Sequence, residues 1–392
     1  MTKLLLIADV SATPKGEQVL LSKKFVTGMQ MYAEHWPGEL HAVLRPENVD
    51  PENLDVREWK RGELGFELEV REFEGEGFRA WLRELSPDVV MGGANDRIMD
   101  IVDQCDAIGA RFVCCTEYNF KTNFQIIAAS KASRLQKLRS GVWMTKHMWQ
   151  RREIVRRSAG LQTNGTPTYD EYRGDNANTL LYFDSRIRAD MIVTAEEREA
   201  RLKRMNDPSR PPRLMFSGRL NAMKGADHLI DVALELRRRG AEFRFDICGD
   251  GTLRADMQSR VRSLGLRDYV EFKGILDFEA ELVPYVRKET DLFICCHRQG
   301  DPSCTYLETA ACGVPILGYD NDAFVGILQR YKIGVSSPMD DPVALADVVQ
   351  DAIAHPERMA DYIGEGVRFA EENTYDRVFA QRIAHVRSVC GI

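Results

Sequence analysis

The chain has 392 residues, of which 44% are hydrophobic and 29% charged, and its formal net charge is −7. This length predicts two domains, and the composition is that of a globular protein. The acidic balance, with a sequence pI near 5.7, argues against a bulk attraction to nucleic acid. The lack of an apolar run of about 18–20 residues argues against a bilayer-spanning helix.

Nine cysteines are scattered along the chain, and most lie in apolar runs: Cys114, Cys115, Cys248, Cys295 and Cys296. This placement predicts buried free thiols, and an odd number without a framework favours the reducing cytoplasm. A metal site is the weaker alternative, because neighbouring cysteines on a strand point to opposite faces and no Cys-x2-Cys pair occurs. Residues 1–9 predict a buried strand rather than a signal peptide, because a charge follows a short apolar run.

Apolar strand-like runs alternate with helical stretches through the first half of the chain. The first strand is expected at 4–8, followed by a loop over 9–17 and a helix over 19–35. Further strands are expected at 41–44, 88–93, 111–116 and 160–165. This alternation predicts a parallel sheet covered by helices on both faces.

A second series of strands begins at residue 213. Its members are expected at 213–218, 243–249, 270–274, 291–296, 315–319 and 334–335. The polar, proline-rich stretch 206–212 separates the two series and predicts a linker. We therefore expect an α/β protein with two doubly wound Rossmann-like domains facing a cleft, and a ligand in that cleft beyond the carboxyl ends of the strands. The domains are placed at 1–205 and 206–372.

Two cations follow the first strand of the second series. Gly218 lets the backbone approach a ligand, Arg219 offers a planar fork of donors, and Lys224 adds a point charge before a helix begins. Such a loop suits a diphosphate at a helix N-terminus. The alternative is that Arg219 and Lys224 are ordinary surface residues of a loop and bind no ligand.

Two further loops add candidates for the same site. Gly249 belongs to a Gly-x-Gly after the next strand, a weak signal that serves a tight turn equally well and lacks the third glycine of a dinucleotide fingerprint. Later, a polar loop precedes a helix whose start offers backbone N–H groups at Ser303, Cys304 and Thr305. Glu308 on that helix could accept hydrogen bonds from a ribose, or could simply pair with the helix dipole.

These elements, in this order, resemble the donor domain of family-four retaining glycosyltransferases, which have the GT-B fold. The likeness covers about residues 213–334 and rests on Gly-Arg-Leu followed by Lys-Gly, on Gly-x-Gly, on Val-x-Phe-x-Gly at 270–274, and on a glutamate at 308 followed by Ala-x-Gly-x-Pro. It implies that Arg219 and Lys224 hold the donor diphosphate, that Glu308 holds the ribose and that Ile275 lines the base pocket.

The sequence departs from the family pattern where the first glutamate of Glu-x7-Glu would fall, at Gly300. Asp301 is the expected replacement for contact with the sugar. The N-terminal half matches less well: its glycine-rich loop is reduced to Gly16, and no histidine follows the strand that precedes Glu117. Residue chemistry leaves Asp9, Lys15, Glu117 and Lys121 as loop candidates or as ordinary surface residues. The last segment, 373–392, resembles the helix that crosses back to the first domain.

The resemblance implies transfer of a sugar from a nucleotide-diphosphate donor, with retention, to a hydroxyl of a saccharide or lipid-linked acceptor in polysaccharide or glycoconjugate synthesis. No Asp-x-Asp motif stands where a catalytic metal would bind, so neither a metal nor another cofactor is expected. Two other functions stay open: a nucleotide-sugar epimerase of the same shape, and a non-catalytic nucleotide-sugar-binding protein. Donor-only product analysis would identify the epimerase, and nucleotide binding without turnover the binding protein.

The segment 130–157 has nine basic residues against a single acid, Glu153. Trp143, Met144, Met148 and Trp149 are interleaved with them. One interpretation is a solvated helix face. The other is contact with an anionic membrane surface or a phosphorylated lipid, which would place the chain peripherally at the inner membrane face.

Overall fold

The computed structural model describes residues 2–48, 55–94, 98–129, 133–300 and 302–392. The chain forms two compact units. The N-terminal unit comprises residues up to 120, together with 133–182 and 376–392; the C-terminal unit comprises 121–129 and 183–375. Neither unit is therefore a continuous stretch of chain.

The N-terminal unit is built on a mostly parallel sheet. Its strands are β1 Lys3–Lys15, β2 Gln18–Ser22, β3 Glu39–Pro46, β4 Val56–Lys60, β5 Glu67–Val70, β6 Val89–Gly93, β7 Arg111–Thr116, β8 Gly160–Asn164 and β9 Thr179–Tyr182. The parallel strands run in the order β5-β3-β1-β6-β7-β8-β9. Buried apolar side chains such as Leu5, Val90 and Phe112 join this sheet to its helices, as the βα alternation predicts.

The start of the chain differs from the sequence prediction. The expected loop over 9–17 is the continuation of β1, which turns at Gly16 into the antiparallel β2 with Lys15 opposite Gln18. The expected helix over 19–35 begins only at Lys23, after the Ser22 hydroxyl caps it by accepting a hydrogen bond from the backbone N–H of Phe25. Pairing of β2 with β4 supplies the stabilisation that a local pattern does not reveal.

Most helices of the N-terminal unit connect one strand to the next along the chain. They are α1 Lys23–His35, α2 Gly75–Leu85, α3 Ile101–Ile108, α5 Arg134–Arg157, α6 Thr166–Tyr172 and α15 Tyr375–Cys390. Helix α15 packs against β8, where a Cβ added at Gly160 would lie 2.9 Å from both His385 Cε1 and Val389 Cγ2. Helix α4 (Phe120–Ala129) falls almost entirely in the C-terminal unit.

The C-terminal unit contains a parallel sheet with the order β12-β11-β10-β13-β14-β15. Its strands are β10 Arg213–Ser217, β11 Arg244–Cys248, β12 Val270–Gly274, β13 Leu292–Cys295, β14 Ile316–Tyr319 and β15 Gly334–Ser337. Its remaining helices are α7 Ala195–Met205, α8 Ala226–Arg238, α9 Arg254–Ser263, α10 Val283–Glu289, α11 Cys304–Ala311, α12 Asp322–Leu328, α13 Pro342–Ala354 and α14 Met359–Glu372. The order reverses between β10 and β13, so a crevice opens at their carboxyl ends.

The structural boundary lies between Tyr182 and Phe183 rather than at the expected linker over 206–212. Helix α7 belongs to the C-terminal unit, because the fully buried Arg201 donates to the backbone carbonyls of Thr290, Cys312, Gly313, Val286 and Arg287 at 2.6–2.9 Å. The stretch 206–212 is likewise held in this unit, where Arg210 Nη1 lies 2.7 Å from Asp291 Oδ2. The polar, proline-rich composition predicted a linker between domains here, but this stretch lies within the C-terminal unit and does not divide the units.

Candidate functional site

The candidate residues of the C-terminal unit gather at the carboxyl ends of β10, β11 and β13. Because β10 lies between β11 and β13 in the sheet, the loops that follow these strands meet at the point where the strand order reverses. In open α/β sheets ligands bind at this point.

Glycines allow the loops after β10 and β11 to touch through their backbones. The N–H of Gly218 donates to the carbonyl of Cys248 at 3.1 Å, and the N–H of Gly249 donates to that of Gly274 at 2.6 Å. A Cβ added at Gly249 would lie only 2.0 Å from the carbonyl oxygen of Gly218. Packing alone thus requires glycine at 249, and contact of either glycine with a ligand stays a prediction.

The loop after β10 carries Lys224 to the end of β13. The Asn221 side chain accepts from the backbone N–H of Lys224 at 3.0 Å, and Gly225 follows with φ 62°. A Cβ at Gly225 would lie 1.9 Å from the Cys296 carbonyl oxygen, so only glycine allows this approach. The Lys224 side chain is 9% exposed, and its Nζ lies 3.5 Å from Ser303 Oγ.

An arginine that the sequence analysis missed fixes the same loop. The backbone N–H of Arg298 donates to the carbonyl of Met223 at 3.1 Å, and its guanidinium donates to the carbonyl of Ala222 at 2.8 Å. Both oxygens of Asp227 accept from Arg298, at 2.7 and 2.8 Å. Burial acts to raise the pKa of Asp227, but the hydrogen bonds and charge of Arg298 hold that pKa below its usual value. The turn that contains Lys224 is therefore held both by the Asn221 side chain and by Arg298.

Arg219 is placed differently from Lys224. Its side chain is exposed, and within the described ranges its guanidinium has no ion-pair or hydrogen-bond partner. Helix α11 completes this edge, with Ser303 at its N-cap and Cys304 and Thr305 in its first turn. The Ser303 side chain makes no capping hydrogen bond. The structure thus brings two cations and a helix N-terminus to one sheet edge, an arrangement suited to an anion.

Glu308 lies further along α11, with a mostly buried side chain. Its Oε1 accepts from Arg186 Nη2 at 3.2 Å and Nε at 3.3 Å, and the guanidinium of Arg186 lies 3.9 Å from the ring centroid of Phe278. The sequence analysis missed Arg186. Ile275, after β12, is 52% exposed, an apolar surface where a base could stack.

Asp301 lies outside the described residues, so its expected contact with the sugar stays a prediction. Its neighbour Gly300 is held by α4. The Gly300 carbonyl accepts from Thr122 Oγ1 at 3.2 Å, and the Gln125 amide pairs with the backbone, accepting from Gly300 N and donating to the Arg298 carbonyl at 3.3 Å each. The loop before α11 is thus positioned by a helix from a distant part of the chain.

Residues 197–368 match the family model for glycosyl transferases group 1. This match covers less than half of the chain and lies within the C-terminal unit. Curated relatives of part of the chain include the alpha-D-kanosaminyltransferase of Streptomyces kanamyceticus, 27% identical over 54% of this chain and 56% of the relative. Another is a GDP-mannose-dependent alpha-(1-6)-phosphatidylinositol monomannoside mannosyltransferase of Mycolicibacterium smegmatis, 28% identical over 52% and 54%. The match to each covers about half of that relative's length.

Solved structures resemble almost the whole chain in fold. HepE of Anabaena in complex with UDP has a TM-score of 0.68 at 14% identity, covering 99% of this chain and 100% of its own. WaaG, a glycosyltransferase involved in lipopolysaccharide biosynthesis, has a TM-score of 0.60 at 13% identity over 99% and 100%. The fold is that of GT-B glycosyltransferases, which confirms the predicted fold class.

The candidates outside the matched region 197–368 are placed as follows. Gly16 lies in the exposed turn between β1 and β2 with φ 62°. This backbone conformation favours glycine, so the turn alone accounts for a glycine at this position. Glu117 is exposed just after the carboxyl end of β7. Lys121 Nζ pairs with Asp322 Oδ1 at 2.8 Å in the C-terminal unit. Roles for Gly16 and Glu117 in binding stay predictions.

The basic segment is one helix from Arg134 to Arg157, with 130–132 outside the described residues. Its C-terminal cations are bound within the N-terminal unit: Arg152 and Arg156 pair with Asp175, and Arg157 pairs with Asp103 and Asp106. Its N-terminal part is instead exposed and apolar on one side, at Leu135, Leu138, Val142, Trp143 and Trp149.

No helix in the described residues is long and apolar enough to cross a membrane. Within the same residues, His, Cys, Asp and Glu side chains form no group of three that could hold a metal ion.

Proposed function

We propose that this chain is a retaining glycosyltransferase that moves a sugar from a nucleotide-diphosphate donor to a hydroxyl of a saccharide or lipid-linked acceptor. One observation carries the proposal: Lys224, Arg219 and the start of α11 converge where the strand order reverses, inside a region that matches group 1 glycosyltransferases. One relative is a GDP-mannose-dependent mannosyltransferase, and HepE was solved in complex with UDP. Both are nucleotide diphosphate species.

The proposed chemistry is substitution at the anomeric carbon. The bond from that carbon to the β-phosphate oxygen breaks, and a bond to the acceptor oxygen forms on the same face. Negative charge grows on the leaving phosphate, where Lys224 and Arg219 stabilise it. Because Lys224 is nearly buried, its charge is weakly screened and acts strongly on a phosphate. The leaving phosphate takes the proton of the acceptor hydroxyl, which needs neither a metal nor another cofactor.

Replacing the two cations tests this assignment. We expect Lys224→Ala and Arg219→Ala each to lower kcat/KM about 10²–10³-fold, as does loss of one donor to a developing oxyanion in other enzymes, with melting temperatures unchanged. Lys288→Ala and Arg262→Ala are matched controls, because both side chains are exposed in the same unit. Normal turnover in Lys224→Ala and Arg219→Ala would refute the donor site. The assay needs a donor found by thermal-shift screening, since binding raises stability by RT ln(1 + [L]/Kd).

The alternatives predict different products from the same screen. Conversion of the donor to its epimer without an acceptor would indicate an epimerase. Tight nucleotide binding without nucleotide release, with saccharide and lipid-linked acceptors present, would indicate a binding protein. Acceptor-dependent release of nucleoside diphosphate would support the transferase.

We further propose that α5 carries the enzyme to an anionic membrane on its cytoplasmic face. Three of its cations, Arg134, Arg139 and Lys146, have no ion-pair or hydrogen-bond partner in the described ranges. Exposed apolar side chains alternate with them, and two of those are tryptophans, which favour the headgroup level. A helix with uncompensated positive charge repels a second copy of itself, so an anionic lipid surface is the partner that its charge favours.

A further inference from the structure

His297 lies two residues beyond the end of β13 and has no exposed surface. Among the described residues, neither Nδ1 nor Nε2 of its ring has a hydrogen-bond partner. Buried polar groups in folded proteins almost always have partners, and an unpartnered one costs stability. The chain therefore retains an unfavourable group beside the proposed donor site.

The ring of His297 is fixed by elements that also build that site. Phe216 at the end of β10 meets it edge-on at 6.2 Å between ring centroids, and Tyr306 of α11 lies at 5.8 Å. The His297 carbonyl accepts from Asn321 Nδ2 at 3.1 Å. The imidazole is thus locked between the strand that precedes Lys224 and the helix whose start faces Lys224.

The environment of the imidazole favours its neutral form. Burial lowers its pKa well below the usual value, and the nearby charge of Lys224 lowers that pKa further. A neutral imidazole has one nitrogen with a free lone pair, which can accept a hydrogen bond. The Lys224 ammonium has three N–H donors on a flexible stem, and its contact to Ser303 Oγ is long, at 3.5 Å.

We propose that His297 is a positioning residue whose lone pair accepts one N–H of Lys224 when the donor is bound, so that the ammonium stays directed at the β-phosphate. This inference rests on the proposed function. Because the ring is neutral, it leaves the positive charge of Lys224 available to the phosphate. The aromatic neighbours exclude water from the pair. The ring nitrogen that accepts this N–H has no other partner among the described residues.

His297→Phe tests the proposal because phenylalanine keeps an aromatic ring and removes both nitrogens. We expect the variant to melt at the same or a higher temperature, since no unpartnered polar group remains. Its calorimetric affinity for a nucleoside diphosphate should fall about tenfold to a hundredfold, the range of a hydrogen bond to a charged group. Affinity for the nucleoside monophosphate, which lacks the β-phosphate, should stay within about twofold. His297→Leu is the second variant, should the larger ring prevent folding.

A double-mutant cycle with Lys224→Ala gives the deciding readout. If His297 acts through Lys224, His297→Phe changes diphosphate affinity by no more than about twofold in the Lys224→Ala background. A full loss that persists there, or unchanged diphosphate affinity in His297→Phe alone, would overturn the proposal. Ser337→Ala is the matched control, because the Ser337 hydroxyl is also buried without a partner but lies on the edge strand β15. A wrong donor-site assignment would give a different result, because Lys224→Ala alone would then leave diphosphate affinity unchanged.

Discussion

The carboxylate of Glu308 already has one partner in the structure, the guanidinium of Arg186. Their contacts, at 3.2 and 3.3 Å, are longer than the 2.7–2.9 Å typical of a charge-assisted hydrogen bond. Both of these hydrogen bonds go to Oε1 of Glu308. A ribose could therefore be held by Oε2 without displacing Arg186.

We predict that Glu308→Gln weakens binding of a nucleoside diphosphate about tenfold, because hydrogen bonds to a charged group are worth about 1.5–3 kcal/mol. The loss should disappear for the 2′,3′-dideoxy nucleotide, which lacks both ribose hydroxyls. Calorimetric titration of both nucleotides measures the difference. Glu289→Gln, which also breaks an arginine pair, with Arg213, is the control and should change neither affinity. An equal loss for both nucleotides, or a lowered melting temperature with unchanged affinity, would mean that Glu308 serves Arg186 instead.

Sequence reasoning singled out some of the residues that gather at this sheet edge and missed others for a physical reason. Lys224 and Ser303 were both expected because each follows a strand, and parallel strands bring their carboxyl ends to one edge. Arg186 and Arg298 could not be found that way, since their partners Glu308 and Asp227 lie 122 and 71 positions away. No local spacing reports such a pair. His297 stood within the recognised loop, but only its burial reveals the unpartnered ring.

Helix α5 shows how ion pairing divides one basic element into two parts. Its last turns use their arginines to bind Asp175, Asp103 and Asp106 within the N-terminal unit. Its earlier turns keep exposed cations beside exposed apolar side chains. The sequence predicted the composition of the helix but not this division, which determines the cations that the proposed membrane contact would use.

We predict that reversing the charge of the free cations, with Arg134, Arg139 and Lys146 all replaced by Glu, abolishes binding to vesicles that contain phosphatidylglycerol. Each basic residue near an anionic surface contributes about 1 kcal/mol, so partitioning should fall on the order of a hundredfold or more. Co-sedimentation at low and high salt measures it, and salt should also release the native protein.

The control for this experiment carries the same change of net charge elsewhere. Lys203, Arg262 and Lys288 are exposed in the C-terminal unit, and replacing all three by Glu should leave vesicle binding near that of the native protein. Equal loss in both triple variants would point to overall charge rather than to α5. If the native protein does not bind these vesicles at low salt, the exposed side of α5 only contacts solvent. A saccharide in solution then becomes the expected acceptor.

At the scale of the whole chain, the two sheets were predictable and the division of the chain was not. Alternating apolar runs and helical stretches placed the parallel strands of both units. The path between the units depends on packing: Arg201 ties α7 to the C-terminal unit through carbonyl contacts spread over residues 286–313. The chain also leaves the N-terminal unit after Phe120 and returns by residue 133, with no change of composition to mark the excursion.

Helix α15 provides a test of how far the two units are independent. It packs in the N-terminal unit, where Arg382 Nε donates to Gln162 Oε1 at 2.8 Å and the guanidinium of Arg382 lies 4.3 Å from the ring centroid of Tyr182. We predict that ending the chain after Tyr375 removes or lowers one calorimetric transition, because β8 loses its cover. The C-terminal unit should still bind a nucleoside diphosphate, with affinity near that of the full chain. A chain ending at Cys390, which keeps all of α15, is the control. If the truncated chain loses nucleotide binding together with the calorimetric transition of the C-terminal unit, that unit depends on α15 for its own stability.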